Sequence, residues 1–276
     1  MEIKRIGIVV PVKDEEETLQ ELYHACEREA SRLELGFELV FVDDGSTDSS
    51  WSVMCKLQSA YPDTVKALRL RRNFGKAVAL SAGFKEVSGD VVFTMDADLQ
   101  DDPKEIGKFL AKIQEGYDCV SGWKVNRQDP TSKTLPSLLF NRVTAAISGI
   151  QLHDFNCGFK AYRSEVVEKV DVYGELHRYI PILAHDYGYR ICEVEVEHHP
   201  RVHGVSKYGW ERYTRGLLDL ITVMATTRYG KKPGHLYGGV GLLSGVAGFF
   251  VLGYLSILWF LDMGPIGNRP LFFVGV

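Results

Sequence analysis

The feature that most limits how this chain can fold is a stretch near its C-terminus without charged side chains. Leu236 to Leu261 contains no Asp, Glu, Lys or Arg. As a helix it would be about 39 Å long, which exceeds the roughly 30 Å hydrocarbon core of a bilayer. The alternative is a helix buried inside a domain, but this run is apolar on all faces. The sequence therefore predicts a membrane span.

The residues that flank this run predict its orientation. Arg228, Lys231 and Lys232 precede it and Asp262 follows it, so we expect the N-terminal part of the chain on the cytoplasmic side. A second apolar stretch from Pro270 to Val276 is too short to cross a bilayer, and we expect it to be an incomplete second span. This predicts a multi-pass protein of the inner or plasma membrane.

A stretch of mixed character lies between the span and the rest of the chain. From Tyr208 to Arg228, apolar residues recur at intervals of three and four, with arginines among them, as in an amphipathic helix. Such a helix either packs on its own domain or lies in the membrane interface, and the nearby span favours the interface. We therefore predict a domain over residues 1–207, a juxtamembrane helix over 208–232 and a transmembrane region over 233–276.

Charge and cysteine content exclude several classes of protein. The formal net charge of -4 argues against a protein that coats nucleic acid, and we expect no nucleic-acid partner. The five cysteines are scattered without a CxxC pair, which argues against a disulfide framework or a zinc ribbon and indicates a reducing compartment. His198, His199 and His203 lack an obvious fourth ligand, so we assign no zinc.

Before residue 122, short runs rich in Val, Ile and Phe alternate with stretches of helical period, which is typical of βα units in a mainly parallel sheet. We predict strands at Ile6–Val10, Glu38–Val42, Val65–Leu70, Val91–Met95 and Cys119–Ser121. Helices are expected near Glu15–Leu35, Ser49–Ala60, Lys76–Val87 and Pro103–Glu115. Later segments predict a polar loop at Lys124–Lys133, helices at Leu135–Ser148 and Glu175–Tyr187, and a strand at Ile191–Glu197.

Acidic residues follow several of these strands, where an open α/β sheet binds its ligands. Asp96 and Asp98 are two residues apart, so in an extended chain both carboxylates face the same side and could bind Mg²⁺ or Mn²⁺. The alternative is that these acidic residues, with Asp101 and Asp102, only cap the helix at Pro103.

Two further groups of residues follow neighbouring strands. Asp43 ends one strand and is a candidate for recognition of a nucleobase or ribose, whereas Ser46 to Asp48 are explained by helix capping. Arg72 and Lys76 follow the next strand and could bind a diphosphate. The alternative for these two cations is an ordinary solvated turn.

Six motifs together resemble the family 2 glycosyltransferases of the polyprenyl-phosphate type, the group of dolichol-phosphate mannose synthase and bactoprenol glucosyltransferase. They are Pro11–Glu16, Val42–Ser46, Arg72–Lys76, Asp96–Pro103, Asp154–Lys160 and Arg201–Lys207. The resemblance covers nearly the whole chain and implies an α/β GT-A fold, a nucleotide-sugar donor, a divalent metal and inverting transfer to a lipid phosphate. Asp14 departs from the pattern, because the family usually has Asn there.

The resemblance also implies roles for individual residues. Pro11, Glu15 and Asp43 match donor base and ribose positions, Asp96 and Asp98 match metal and diphosphate positions, and Gln100 matches a further metal contact. Asp154 matches a carboxylate beside the acceptor, and we predict that it is catalytic together with Asp98, either by orienting the sugar or by acting as a base. Candidate cations for the acceptor phosphate are Arg127, Arg201 and Lys207.

The sequence thus predicts a membrane-attached, homo-oligomeric glycosyltransferase that moves a hexose, with glucose from UDP-glucose as the best guess, onto polyprenyl phosphate. One rival is a processive polysaccharide synthase, which would carry a Gln-x-x-Arg-Trp element that this sequence lacks. Another is a membrane-anchored sensor or scaffold that binds nucleotide sugars without turnover.

Overall fold

The computed structural model describes residues 2–125, 141–146, 148–172, 174, 176–197, 219–220, 222–223, 225, 233–261 and 270–275. The chain divides into two compact units, Met1–Val223 and Met224–Val276. The predicted division at residue 207 and the juxtamembrane helix over 208–232 fall almost entirely outside the described residues and stay predictions.

Strands and helices alternate over residues 2–125, as the apolar periodicity predicts. The strands are β1 (Arg5–Val12), β2 (Gly36–Asp43), β3 (Val65–Arg69), β4 (Val91–Thr94) and β5 (Cys119–Lys124). The helices are α1 (Leu19–Arg32), α2 (Ser50–Ala60), α3 (Lys76–Glu86) and α4 (Ile106–Gln114), the last preceded by a 3-10 turn at Pro103–Glu105.

The later part of the first unit adds two strands and several short helical segments. The strands are β6 (Lys160–Arg163) and β7 (Ile191–Val196). The helical segments are 141–146, Ser164–Lys169, a 3-10 turn at Leu176–Tyr179 and Ile180–Asp186. Sequence reasoning missed β6 and the helix after it, and it placed Lys124 in a loop although this residue ends β5.

All seven strands form one sheet in the order β3-β2-β1-β4-β6-β5-β7. The pairs β1–β2, β1–β4, β2–β3 and β5–β7 are parallel, whereas β6 runs antiparallel to both β4 and β5. A mainly parallel α/β sheet is therefore confirmed. Because β6 is reversed, it begins at the edge where β4 and β5 end, and this brings residues 154–159 to that edge.

Apolar residues cover both faces of the sheet, as expected where helices pack on either side. Ile8 and Val10 of β1 pack in one core with Phe41, Phe93 and Phe109. The intervening Val9 packs on the other face with residues of β2, β4 and α3. Burial on both faces agrees with the near-continuous apolar run from Ile6 to Val10.

The second unit contains the long apolar helix that the sequence predicts. It runs from Pro233 to Phe260, and Tyr237–Phe260 is long and apolar enough to cross a membrane, with a mean hydropathy of 2.0. Large side chains such as Leu242 and Phe249 are exposed along it. A six-residue helix, Pro270–Gly275, follows. One candidate span is thus found among the described residues, and a multi-pass topology stays a prediction.

Candidate active site

The carboxyl ends of β1 and β2 lie side by side, and the two loops that follow are tied together. Pro11 pairs with Val42 in the sheet register. The backbone N–H of Glu15 donates to Ser50 Oγ over 2.9 Å, and Lys13 Nζ donates to the Gly45 carbonyl over 2.7 Å. Pro11 and Glu15 are both half-buried beside this junction. The structure therefore brings the predicted donor positions Pro11, Glu15 and Asp43 to one edge.

Asp43 is fully buried at the end of β2. Its Oδ1 accepts a hydrogen bond of 2.7 Å from the backbone N–H of Ser46. Its Oδ2 lies 3.2 Å from Arg69 Nε, but it accepts no well-aligned hydrogen bond within the described part of the chain. Arg69 also lies over the ring of Trp51, at 5.3 Å from its centroid. Asp43 thus offers a buried acceptor beside a cation and an indole ring.

The neighbouring carboxylate, Asp44, has a role that the sequence did not predict. It accepts hydrogen bonds of 2.7 and 2.9 Å from the backbone N–H groups of Phe74 and Gly75. Gly45 permits this approach, because a Cβ there would lie 2.6 Å from the Arg72 carbonyl carbon and its φ of +70° disfavours other residues. Asp44 therefore fixes the turn that leads into α3, although its position beside Asp43 was the only sign of this in the sequence.

The two predicted diphosphate cations have different environments. Arg72 is exposed and stacks over the ring of Phe74, at 4.3 Å from its centroid. Lys76 begins α3 and forms an ion pair and hydrogen bond with Asp96 Oδ1. The structure therefore brings Lys76, but not Arg72, into contact with a predicted metal-site residue.

Asp96 follows β4, and the charged groups around it change its pKa. Burial alone would raise the pKa of Asp96, but the charge and hydrogen bond of Lys76 outweigh it and lower this pKa to about 2. Its side chain remains 35% exposed. Gly158 packs directly against it, since a Cβ on Gly158 would lie 2.7 Å from Asp96 Oδ2. Asp96 is thus an ionised carboxylate that a ligand can still reach.

The residues after Asp96 form a tight and strained turn. Asp98 is 6% exposed and its Oδ1 accepts a 3.2 Å hydrogen bond from the backbone N–H of Gln100. Between them Leu99 adopts a φ of 59°, which is costly for a residue with a branched side chain. Such strain is often found at functional sites, and here it lies between the two predicted metal positions Asp98 and Gln100.

Asp102 has the capping role that the alternative interpretation proposed, whereas Asp101 has a different structural role. Asp102 caps the 3-10 turn by accepting a 3.0 Å hydrogen bond from the backbone N–H of Lys104. Asp101 is buried and pairs with Lys124 of β5 over 2.9 Å. Burial would lower the pKa of Lys124, but Asp101 outweighs it and raises this pKa. This pair connects the Asp96–Gln100 segment to β5.

Asp154 lies at the same edge, on the turn before β6. It is 1% exposed, and its Oδ1 accepts a 3.0 Å hydrogen bond from the backbone N–H of Asn156. The turn that contains Asp154 also contains Gly158, which packs against Asp96. This turn therefore links the predicted acceptor carboxylate to Asp96. Arg127, Arg201 and Lys207 lie outside the described residues, as do His198, His199 and His203.

His177 is a further residue near Asp96 that the sequence did not reveal. Burial, together with the charges of Lys76 and Arg178, lowers the pKa of His177 well below its usual range. The neutral form of this imidazole is therefore favoured. No sequence motif indicated His177, because the 3-10 turn at Leu176–Tyr179 comes close to Asp96 only in the folded chain.

Comparison with known proteins identifies the family. The family model described as Glycosyl transferase family 2 matches residues 7–171. This chain belongs to glycosyl transferase family 2. It is 37% identical to dodecaprenyl-phosphate galacturonate synthase of Rhizobium johnstonii, over 98% of this chain and 81% of that protein. It is also 38% identical to undecaprenyl-phosphate 4-deoxy-4-formamido-L-arabinose transferase of Pseudomonas aeruginosa, over 93% of this chain and 74% of that protein.

Solved structures support the fold of this family 2 glycosyltransferase. Glucosyl-3-phosphoglycerate synthase of Mycobacterium tuberculosis, solved with Mn²⁺ and UDP, matches with a TM-score of 0.61 and 17% identity, over 81% of this chain and 78% of that chain. A mannosyltransferase of Pyrobaculum calidifontis matches with a TM-score of 0.58 and 21% identity, over 82% and 64% of the two chains. The predicted GT-A fold, the glycosyltransferase class and the resemblance to polyprenyl-phosphate transferases are confirmed.

Proposed function

We propose that this protein transfers a sugar from a nucleotide diphosphate sugar to polyprenyl phosphate, with inversion at the anomeric carbon. The observation that carries the proposal is the packing of the Asp154 turn against Asp96 through Gly158. It joins a carboxylate suited to a donor diphosphate with one suited to the acceptor. The names of both relatives quoted above, which describe polyprenyl-phosphate sugar products, support the choice of acceptor.

The donor would bind along the ends of β1, β2 and β4. Asp43 provides a buried acceptor for a base or ribose N–H or O–H. Lys76 provides a cation for the diphosphate, as its contact with Asp96 indicates. Arg72 is exposed beside the same turn and would contact the outer part of the diphosphate.

Asp96, Asp98 and Gln100 fit a divalent metal in their chemistry. Mg²⁺ and Mn²⁺ prefer oxygen ligands and commonly bind through one or two carboxylates plus substrate phosphates. When bound, the ion would neutralise the charge of the departing diphosphate. Asp96 would be shared between the ion and Lys76.

In the proposed reaction an oxygen of the lipid phosphate attacks the anomeric carbon while the bond to the nucleotide diphosphate breaks. The nucleophile needs little help from a base, because a phosphate monoester has a second pKa of about 6 and is already largely dianionic at pH 7. Asp154 therefore orients the sugar or the acceptor, and positioning provides most of the rate. Arg127, Arg201 and Lys207 stay the proposed cations for the acceptor phosphate.

The names of the relatives also bear on the sugar. They give galacturonate and 4-deoxy-4-formamido-L-arabinose, and neither gives glucose. We therefore rank these two sugars above glucose as donors, and glucose stays an untested prediction. The apolar helix Tyr237–Phe260 would attach the enzyme to the bilayer that contains its acceptor.

The test is transfer of radiolabel from UDP-galacturonate, UDP-4-deoxy-4-formamido-L-arabinose or UDP-glucose to polyprenyl phosphate, followed by organic extraction. We expect one donor to give a lipid-soluble product, and we expect excess chelator to abolish it. Asp98→Asn should reduce the rate by at least about 100-fold while leaving the melting temperature near that of the wild type, because it removes ligand charge without opening a cavity.

Each alternative function has its own outcome in this assay. Nucleotide-sugar binding without turnover of any donor would favour a sensor or scaffold, and a polymeric product would favour a polysaccharide synthase. Full activity of Asp98→Asn in the presence of chelator would contradict the metal site but not the transfer reaction.

A further inference from the structure

The turn over residues 153–158 is held in place by side chains from several different elements. Its first residue, His153, is held by three side chains, those of Glu193, Asn141 and Trp123. Glu193 of β7 accepts a 2.8 Å hydrogen bond from its backbone N–H and also contacts its ring. Asn141 Nδ2 donates to its carbonyl over 2.8 Å, and the ring of Trp123 stacks on its imidazole at 4.1 Å between centroids.

The side chain of Lys160 holds the second half of the turn. Lys160 Nζ donates to the carbonyls of Phe155, over 3.3 Å, and of Cys157. Thr94 Oγ1 donates to the next carbonyl, that of Gly158, over 2.8 Å. These backbone oxygens lie in no strand or helix, so side chains provide the hydrogen bonds that secondary structure would otherwise supply.

The environment of Lys160 is unusual for a charged residue. It is only 3% exposed, and in the part of the chain that the structure describes no carboxylate oxygen lies within ion-pairing distance of Nζ. Burial lowers the pKa of Lys160. A buried ammonium without a carboxylate partner costs free energy. The hydrogen bonds that Lys160 donates to the carbonyls of Phe155 and Cys157 offset part of this cost, so its charge is tied to the backbone of this turn.

The position of the Asp154 carboxylate depends on the backbone of this turn. Its own side chain is bonded within the turn to the N–H of Asn156, so its position follows the backbone of residues 154–156. Phe155, which directly follows it, is fully buried and has its carbonyl bound by Lys160. Displacement of this backbone would move the Asp154 carboxylate and the Gly158 surface beneath Asp96 together.

We propose that Lys160 and Glu193 are positioning residues that hold Asp154 in its reactive orientation. The proposal rests on the function proposed above for Asp154. Glu193 fixes the start of the turn and Lys160 fixes its second half, and both act through backbone groups of the turn. Their effect should therefore fall on turnover, because a displacement near 1 Å can cost about 100-fold in rate.

The first experiment uses Lys160→Met and Lys160→Arg, with Lys66→Met as the matched control. Lys66 also donates to a backbone carbonyl, that of Glu86 over 2.7 Å, but it lies on β3 away from the turn. We expect Lys160→Met to lower kcat about 10- to 100-fold, with the donor KM and the calorimetric Kd for UDP changed less than about threefold. Lys160→Arg should recover much of kcat, because a guanidinium also donates to carbonyls.

The second experiment uses Glu193→Ala and Glu193→Gln, which remain informative even if Lys160→Met does not fold. Glu193→Ala should lower kcat with the same unchanged UDP affinity. Glu193→Gln keeps an oxygen that accepts from the His153 N–H, so it should retain more activity than Glu193→Ala.

Two outcomes would overturn the positioning role. One is unchanged kcat in both Lys160→Met and Glu193→Ala, and the other is an equal loss of kcat and UDP affinity, which would indicate a merely structural role. An inactive wild-type enzyme that binds UDP would instead contradict the proposed function itself, so the two failures are distinguishable.

Discussion

Asp14 illustrates how one residue can replace another by satisfying the same backbone groups. Its φ of 54° is left-handed, a conformation that Asn and Asp adopt more readily than other residues with a side chain. Its Oδ1 accepts hydrogen bonds from the backbone N–H of Thr47, over 2.7 Å, and from the Thr47 hydroxyl, over 3.1 Å. The side-chain oxygen of the Asn that the resemblance leads us to expect at this position would accept the same bonds.

Asp14→Asn should differ from the wild type in its response to acid. Burial would raise the pKa of Asp14, but the bonds from Thr47 and Lys13 outweigh it and lower this pKa from 3.8 to about 2. The stability from this carboxylate is therefore fully present above pH 3.8 and is lost as the pH falls through about 2. As the pH falls over that range, we expect the melting temperature of the wild type to decrease relative to that of Asp14→Asn.

The measurement is thermal unfolding of both proteins in detergent between pH 2 and pH 7. Asp63→Asn removes one exposed carboxylate and serves as the control for the loss of a charge. If the difference in melting temperature between the wild type and Asp14→Asn stays constant across this range, the pKa of Asp14 is not lowered.

The strand-end carboxylates could be found from the sequence, but their neighbours could not. Asp43, Asp96 and Asp98 follow apolar runs, and this local signal sufficed to place them at one edge of the sheet. The partners of Asp44 and Asp101 are 30 or 23 residues away from them, at Phe74 and Lys124. Such pairs depend on how strands are ordered, which local periodicity does not encode.

At the scale of elements, the turn before α3 depends on a carboxylate from another loop. We expect Asp44→Ala to destabilise the protein by about 2 kcal/mol, because the N–H groups of Phe74 and Gly75 lose a charged acceptor. It should also raise the donor KM, since the same turn positions Lys76. Asp102→Ala, which removes the cap of one N–H group, is the control.

Chemical denaturation measures the first effect and steady-state kinetics the second. Asp102→Ala should cost about 1 kcal/mol and leave the donor KM unchanged. If Asp44→Ala affects stability and KM no more than Asp102→Ala does, the turn positions Lys76 without Asp44.

The strands β1 to β4 were predictable within one or two residues because each contains apolar residues between polar loops, whereas β5 extends three residues beyond its predicted end. β6 was not predictable, since it has only four residues and contains both Lys160 and Arg163. These charged residues end in backbone contacts and an ion pair, which a pattern of apolar and polar letters does not distinguish from solvent exposure. The element that brings Asp154 to the site was therefore the one that periodicity missed.

At the scale of the whole molecule, the two compact units differ in what they expose. Along the long helix of the second unit, Tyr237, Leu243 and Phe260 are each more than 70% exposed. Soluble proteins rarely expose apolar surface of this extent, which supports the membrane span predicted from the sequence. The first unit instead buries large apolar residues on both faces of its sheet.

Truncation after Val223 should separate these properties. We expect the full chain to remain with membranes after an alkaline carbonate wash, and the truncated chain to be released because it lacks the apolar helix. Both proteins should bind UDP with Kd values within about threefold, since the donor residues lie in the first unit. Release of the full chain by carbonate would contradict a membrane span.

Gly158 makes the positions of Asp96 and of the turn over residues 153–158 interdependent. Its missing side chain leaves room for Asp96 Oδ2 at a distance of 2.7 Å from where a Cβ would be. A chimera that takes residues 154–163 from another family member would therefore inherit a surface shaped for that member's own aspartate. Exchange of sugar or lipid preference between relatives should succeed only when the strand leading to Asp96 and the segment around Gly158 are transplanted together.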